Sequence, residues 1–496
     1  MVRCFLVSLM LFGCISTTEA QIQRPKLVVG LTVDQMRWDY IYYYYEQFGE
    51  GGLKRLVDEG FNCENTMINY VPTITAIGHS SIYTGSVPAL TGIAGNTFMV
   101  DGEMVYCTQD KNVSSIGSDD SEGQMSPRNL LASGIGTVLK IATDYKSKVI
   151  GIALKDRAAI LPAGHGADAA YWWDTSAGHY VSSSYYMKEL PEWVQNFNNK
   201  NQQKPGYDIK GKVDGVTMTF KMAEAAVENE QLGQDNIPDL LAVSISSTDI
   251  IGHNTGTRGE KNKEVYMQLD KELAHFLSFL DKKIGKGNYL IWLSADHGAM
   301  HNYNLMNQHN IAAGAYSVGD EVKVLNKDYN KKYGFKPVLG IDADRIYLNH
   351  KSIDSAGANL QNVKKDVILF LQQNNNRVYR VVDYENIMNT TLIQPIRERI
   401  INGYNPDRSG DLYVITKPGT VDATPNEKWT GTNHSTWYPY DSHIPLVFMG
   451  WHIQKGQTST PTSIVDIAPT ICELLHIQMP NACVGNAIEE VVNMKK

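Results

Sequence analysis

Five unbroken hydrophobic runs punctuate the chain, at residues 26–33, 148–154, 239–245, 289–294 and 444–449. Runs this short, bounded by polar residues, fit strands buried on both faces rather than helices. Between them lie segments with helical spacing of apolar positions, such as 215–228 and 263–283. Strands alternating with helices predict an α/β fold with a mainly parallel sheet sandwiched by helices. The runs also stop in a consistent way. Asp34, Lys155, Thr248-Asp249 and Asp296-His297 follow the first four, and His443 directly precedes the fifth. In open α/β sheets the ligand site lies beyond the carboxyl ends of the strands. One acidic residue after one strand is usually a loop residue or a helix cap; four strands ending this way point to a site.

Two stretches break the alternation. Residues 168–203 carry Tyr171, Trp172, Trp173, Tyr180, Tyr185, Tyr186 and Trp193, which can either wall a substrate cleft or pack as a loop cluster. Residues 303–435 mix a helix at 362–373 with strands at 345–348 and 412–416, and read as an inserted, smaller α+β subdomain or lid. The remainder of 21–496 is expected to form one catalytic domain.

A different pattern governs residues 69–96. Val71-Pro72 favours extended backbone, and a helix is predicted from Thr75 to a stop near Gly85. Thr75 then stands at a helix N-terminus, where free N–H groups and the helix dipole favour an anion. Taken alone, the commoner role for such a threonine is an N-cap.

Composition narrows the function classes. The 496 residues are 43% hydrophobic and 20% charged with a net charge of −8, an ordinary globular balance that shows no nucleic-acid footprint. Residues 1–20 read as a secretory signal: Arg3, an apolar core from Phe5 to Ile15, and a small-residue end at Ala20. Leu11-Phe12-Gly13-Cys14 loosely resembles a lipoprotein cleavage site, so simple export to the periplasm or medium ranks ahead of anchoring at Cys14. No later run is apolar enough to span a membrane. Of the six cysteines, Cys63, Cys107, Cys472 and Cys483 remain after the signal. In an exported protein they predict disulfides, with Cys63–Cys107 and Cys472–Cys483 favoured among three pairings, against the alternative of four buried thiols.

The chemistry-bearing residues are carboxylates and imidazoles. Asp249 and His253 are four apart, so they share one face of a helical turn. Asp34, Asp296, His297 and His443 add four more donors of the kind zinc accepts. Six such donors at neighbouring strand ends predict a two-metal site. His79 is expected to pack or hydrogen-bond, and His434 is left without a ligand role.

These motifs, with Pro72-Thr73-Ile74-Thr75-Ala76-Ile77-Gly78-His79, Asp296-His297-Gly298, Tyr440-Asp441-Ser442-His443 and Asp466-Ile467-Ala468-Pro469-Thr470, resemble the alkaline phosphatase superfamily of two-metal hydrolases. The chain is most similar to the bacterial threonine-nucleophile alkaline phosphatases of the PafA type. The resemblance implies two Zn²⁺ per chain, one held by Asp249, His253 and His443, the other by Asp34, Asp296, His297 and the Thr75 oxygen. Thr75 would be the nucleophile, forming a covalent phosphothreonine, and the metals would stabilise both apical oxygens of an in-line displacement. Asn96, Lys155 and Arg157 match the family's phosphate-binding groups. The Lys-x-Arg pair resembles the monoesterase branch, because two cations suit a dianionic monoester. The implied activity is release of inorganic phosphate from small phosphorylated metabolites, with broad tolerance of leaving group, by a monomer. A phosphodiesterase or nucleotide pyrophosphatase on the same fold is the rival reading, and a non-catalytic surface binding protein a remote one. A sulfatase is disfavoured, since Thr75 cannot mature to formylglycine.

Overall fold

The computed structural model describes residues 22–373 and 376–493. The expected signal segment, with Cys4 and Cys14, lies outside the described residues.

The predicted runs form the middle of a ten-stranded sheet. We label them β1 (Leu27–Val33), β2 (Val149–Ala153), β3 (Asp239–Ile245), β4 (Tyr289–Ser294) and β5 (Leu446–Gly450). Their order across the sheet is β5-β4-β1-β3-β2. β1 pairs in parallel with β3 on one side and β4 on the other, and β3 pairs in parallel with β2. β5 is antiparallel to β4, with Leu446 opposite Ser294. Every residue of β1, β2, β3 and β4 is buried, as continuous apolar runs require when helices cover both faces. Helices Asp214–Asn229 and Glu260–Leu280 bury Met222, Phe276 and Leu277 in the same core. Truncating one Leu or Ile of this layer to Ala costs about 2–5 kcal/mol, which is why the strand ends are rigid supports.

Three helices bring functional side chains to the carboxyl edge: α1 (Thr75–Thr84), α2 (Asp156–Ala163) and α3 (Ser247–Thr255). α2 follows β2 and α3 follows β3, so each starts at the end of its strand.

Within 303–435, strands Val338–Asp342, Arg345–Leu348, Leu412–Thr416 and Val378–Asp383 make a separate four-stranded sheet. It closes an apolar core of its own that includes Val318, Ile346, Val367, Leu371 and Val414. The aromatic stretch behaves differently from a cleft wall. Strands Ala169–Asp174 and His179–Ser183 extend the main sheet, and Tyr171, Trp172, Trp173 and Tyr180 are buried within it. An alternation of large aromatics reads as a surface feature in sequence, yet here it is core.

The disulfide expectation is corrected: Cys63, Cys107, Cys472 and Cys483 are all free thiols. Nearness in sequence misled. Cys63 ends the strand Phe61–Cys63 at the far side of β5, where Glu490 and Glu64 are its charged neighbours. Cys107 is buried beside Asp156 and Arg157. Burial pushes the Cys63 and Cys472 thiols up to about 12, so both are inert hydrophobes at neutral pH. No helix among the described residues is long and apolar enough to cross a membrane.

Candidate active site

Asp34 leaves β1, Asp249 and His253 lie on α3, and Asp296-His297 leave β4. Because β3, β1 and β4 are neighbours in register, these groups converge. Asp34, Asp296 and His297 offer ligand atoms within 4.8 Å of one another, and so do Asp249, His297 and His434. Thr75 begins α1, and its Oγ1 lies 3.4 Å from His297 Nε2. Two glycines permit this crowding. A Cβ on Gly78 would sit 2.3 Å from the Asp296 carbonyl oxygen, and one on Gly252 would sit 2.0 Å from Gln35 Oε1. Gly78, which meets backbone, therefore requires glycine, whereas a side chain at 252 would have to displace the Gln35 amide.

The imidazoles are presented in one manner. His297 Nδ1 bonds the Gly298 carbonyl (3.0 Å), His253 Nδ1 the Thr432 carbonyl (2.9 Å), and His434 Nδ1 the Thr73 carbonyl (2.7 Å). A carbonyl only accepts, so each Nδ1 carries a proton and each Nε2 is turned into the site. Those Nε2 atoms face carboxylates: His253 lies 3.1 Å and His434 3.7 Å from Asp249 Oδ1, and His297 lies 3.5 Å from Asp34 Oδ1. A backbone-anchored Nδ1–H with a free Nε2 is how a metal-ligating histidine is held. The His297 and His434 rings stack at 3.5 Å.

His443 does not fit this arrangement. Its Nε2 is the nitrogen that bonds the Glu64 carbonyl (2.9 Å), and its ring stacks on Trp38 at 4.5 Å. It lines a separate cleft of about 220 Å³ with Arg37, Trp38 and Asp39. The expectation that His443 completes a set with Asp249 and His253 is corrected: the structure brings His434 to Asp249 instead. His434 escapes sequence reading because it ends no strand of the main sheet. It belongs to the segment 303–435, and contacts with Thr73 and His297, both distant in sequence, place it.

Charge balance defines what the site wants. Asp34, Asp249 and Asp296 are all buried, and Lys155 Nζ contacts two of them, at 2.5 Å from Asp34 Oδ2 and 2.6 Å from Asp249 Oδ2. Burial, then the charges of Asp249 and Asp296, hold the Asp34 carboxyl well above its ordinary range. Burial disfavours the ionised form of Asp249 too, but His253 and Lys155 outweigh it and hold that carboxyl well below. Burial and then the neighbouring His297 and His253 keep the His434 ring far below its usual range, hence neutral. Three buried carboxylates gather around a single ammonium, and Asp34 is the one whose ionisation its neighbours oppose. Asp34 Oδ1 is buried without a hydrogen-bond partner, and Asp296 Oδ2 has a hydrogen-bond partner of good geometry in neither His79 Nδ1 at 3.2 Å nor His297 Nε2 at 3.4 Å. Carboxylate oxygens so placed beside imidazole nitrogens fit divalent cations of the zinc type.

The remaining candidates surround Thr75. Asn96 Oδ1 accepts from the Ala76 N–H (3.2 Å), so its amide caps the first turn of α1 and its own N–H₂ group is left for a ligand. Arg157 Nη1 donates to Tyr106 (2.9 Å), whose hydroxyl donates to Asp156 (2.9 Å), while Arg157 Nε is buried without a partner. His79 uses both nitrogens, toward the Thr75 carbonyl (2.9 Å) and Ser244 (2.7 Å). Gln35, which no pattern in the sequence singles out, donates to Asp249 Oδ1 at 2.6 Å from a left-handed backbone (φ +66°). Ser435, next to His434, is held at φ +139°, a conformation that costs a serine about 1–3 kcal/mol.

The family model described as type I phosphodiesterase / nucleotide pyrophosphatase matches residues 28–437. The chain is 41% identical to alkaline phosphatase PafA of Elizabethkingia meningoseptica over 95% of both chains. It is 42% identical to a protein named calcium-transporting ATPase from Myroides odoratus, again over 95% of both. Alkaline phosphatase PhoV of Synechococcus elongatus is 40% identical over 95% of this chain and 94% of its own. The crystal structure of wild-type PafA matches with a TM-score of 0.90 at 41% identity, covering 95% of this chain and 99% of that one. Identity over nearly the whole chain, the family-model match and this superposition place the chain in the alkaline phosphatase PafA group of the type I phosphodiesterase / nucleotide pyrophosphatase family.

Proposed function

We propose that this chain is an exported, zinc-dependent phosphate monoester hydrolase that works through a covalent phosphothreonine on Thr75. The observation that carries the reading is the Thr75 hydroxyl at a helix N-terminus, 3.4 Å from His297 Nε2, beside buried carboxylates that need cations. Asp34, Asp296 and His297 would hold one Zn²⁺, and Asp249, His253 and His434 the other. Bound there, zinc supplies Lewis acidity to phosphoryl oxygens and lowers the pKa of a hydroxyl or water that it touches.

The chain's own residues do the rest. Thr75 Oγ attacks phosphorus from the side opposite the leaving oxygen, giving up its proton, and the alcohol departs. Water then attacks the phosphothreonine, releasing inorganic phosphate and restoring the hydroxyl. The Asn96 amide N–H₂ and Arg157 Nε donate to the equatorial oxygens, where charge builds up. Tyr106 and Asp156 keep the guanidinium aimed while this happens. Lys155 sits on Asp34 and Asp249, so to serve the substrate it exchanges these carboxylates for a phosphoryl oxygen. Two cations are matched to a dianion, which leaves the leaving group unread and makes specificity broad. ATP, implied by the name of one relative, carries such a terminal phosphoryl group.

The family model keeps phosphodiester hydrolysis as the second reading. The double variant Lys155→Ala/Arg157→Ala separates the two. Removing one preorganised donor costs roughly 10²–10³ in rate, so we expect at least that loss of kcat/KM on an aryl phosphate monoester and less than about tenfold on the matching diester. Equal losses on both substrates would contradict the monoesterase reading.

A further inference from the structure

We infer that the turn Asp342–Arg345, carried by the small sheet of residues 303–435, is a positioning device for the active site, with Asp344 its principal residue. This inference rests on the phosphatase reading above and concerns how that site is held in shape.

The turn joins strands Val338–Asp342 and Arg345–Leu348, and three of its residues reach three separate active-site loops. Asp342 Oδ1 accepts from the Thr97 N–H at 3.1 Å, next to Asn96. A Cβ on Gly95 would lie 2.0 Å from Asp342 Oδ2, so the Asn96 loop is shaped to receive this carboxylate. Arg345, fully buried, donates to the Val71 carbonyl at 3.2 Å, on the segment that leads into Thr75. Asp344 Oδ2 accepts from the Ser435 hydroxyl at 2.8 Å.

That last bond bears most directly on chemistry. Ser435 is in a left-handed backbone conformation and follows His434. Its carbonyl accepts from the Thr73 N–H (3.1 Å), and the Thr73 carbonyl in turn accepts from His434 Nδ1 (2.7 Å). A serine left to itself relaxes out of this conformation, and the His434 ring turns with it. The Asp344 carboxylate prevents this by holding the hydroxyl. Groups that orient a metal-ligating histidine are worth about 10–100-fold in metal affinity or activity when removed, and Asp344 acts one bond further back, through the backbone.

Glycine provides the discriminating test, since it adopts positive φ at little cost. Zinc is titrated against a competing chelator into the full chain, its Asp344→Ala variant and the Asp344→Ala/Ser435→Gly double variant, with Tm and kcat/KM recorded on each. We expect Asp344→Ala to weaken the zinc site that His434 joins roughly 10–100-fold, with a parallel loss of kcat, and the added glycine to recover most of both. Should Asp344→Ala fail to fold, Asp344→Asn with and without Ser435→Gly makes the same comparison. Unchanged zinc affinity in the folded single variant overturns the inference. So does a fall in Tm and affinity that glycine does not reverse, which marks a merely structural role. A wild-type chain that binds zinc but cleaves no monoester would instead overturn the functional reading, while the titration would still report on the turn.

Discussion

Thr75→Ala folds, binds metal and loses turnover by roughly 10⁴-fold or more, the scale seen when a hydrolase loses its nucleophile. The fold survives because the hydroxyl does little structurally. Among the described residues its hydrogen-bond partner is His297 Nε2 at a long 3.4 Å, and the first turn of α1 is capped by Asn96 rather than by Thr75. A lost hydrogen bond of this quality costs about 1 kcal/mol or less, so Tm should fall by only a few degrees. The residual rate reports what the electrostatics of the site achieve without a covalent step. Activity near that of the parent protein would remove Thr75 from the mechanism and leave direct attack by water.

His434→Ala and His443→Ala have opposite outcomes. Removing His434 takes away the lone pair facing Asp249 and should weaken one of two zinc sites by at least about 100-fold, since even supporting groups are worth 10–100-fold; kcat/KM falls with it. Removing His443 deletes a bond to the Glu64 carbonyl and a stack on Trp38. That change costs about 1–2 kcal/mol of stability and leaves zinc binding intact. Zinc stoichiometry on dialysed protein decides the matter. Loss of zinc from His443→Ala, with retention in His434→Ala, would restore His443 as the ligand.

The contrast between these two histidines shows what a sequence makes legible. β1, β3 and β4 announce themselves as apolar runs, and a parallel sheet sends whatever follows them to one edge; Asp34, Asp249, Asp296 and His297 are readable for that reason. His443 precedes β5, whose antiparallel run starts at the same edge, with Leu446 opposite Ser294, but its Nε2 is consumed by the Glu64 carbonyl. His434 is fixed by a carbonyl 361 residues away, a distance over which no local periodicity carries information. Gln35 and the turn at 342–345 share that obscurity. The aromatic stretch stays open in sequence for another reason: Trp172 and Trp173 are as compatible with a packed cluster as with an exposed wall, and pairing with β2 decides for packing. The cysteines were paired by nearness along the chain, while Cys63 and Cys107 belong to different parts of the fold.

The central claim is that a dianionic phosphate monoester is the substrate, and one ratio tests it. On zinc-loaded wild-type protein, kcat/KM for an aryl phosphate monoester is divided by kcat/KM for the matching diester. The arrangement of Thr75, Asn96, Lys155 and Arg157 predicts a ratio well above one. A ratio below one would make the chain a phosphodiesterase that uses the same fold, metals and nucleophile.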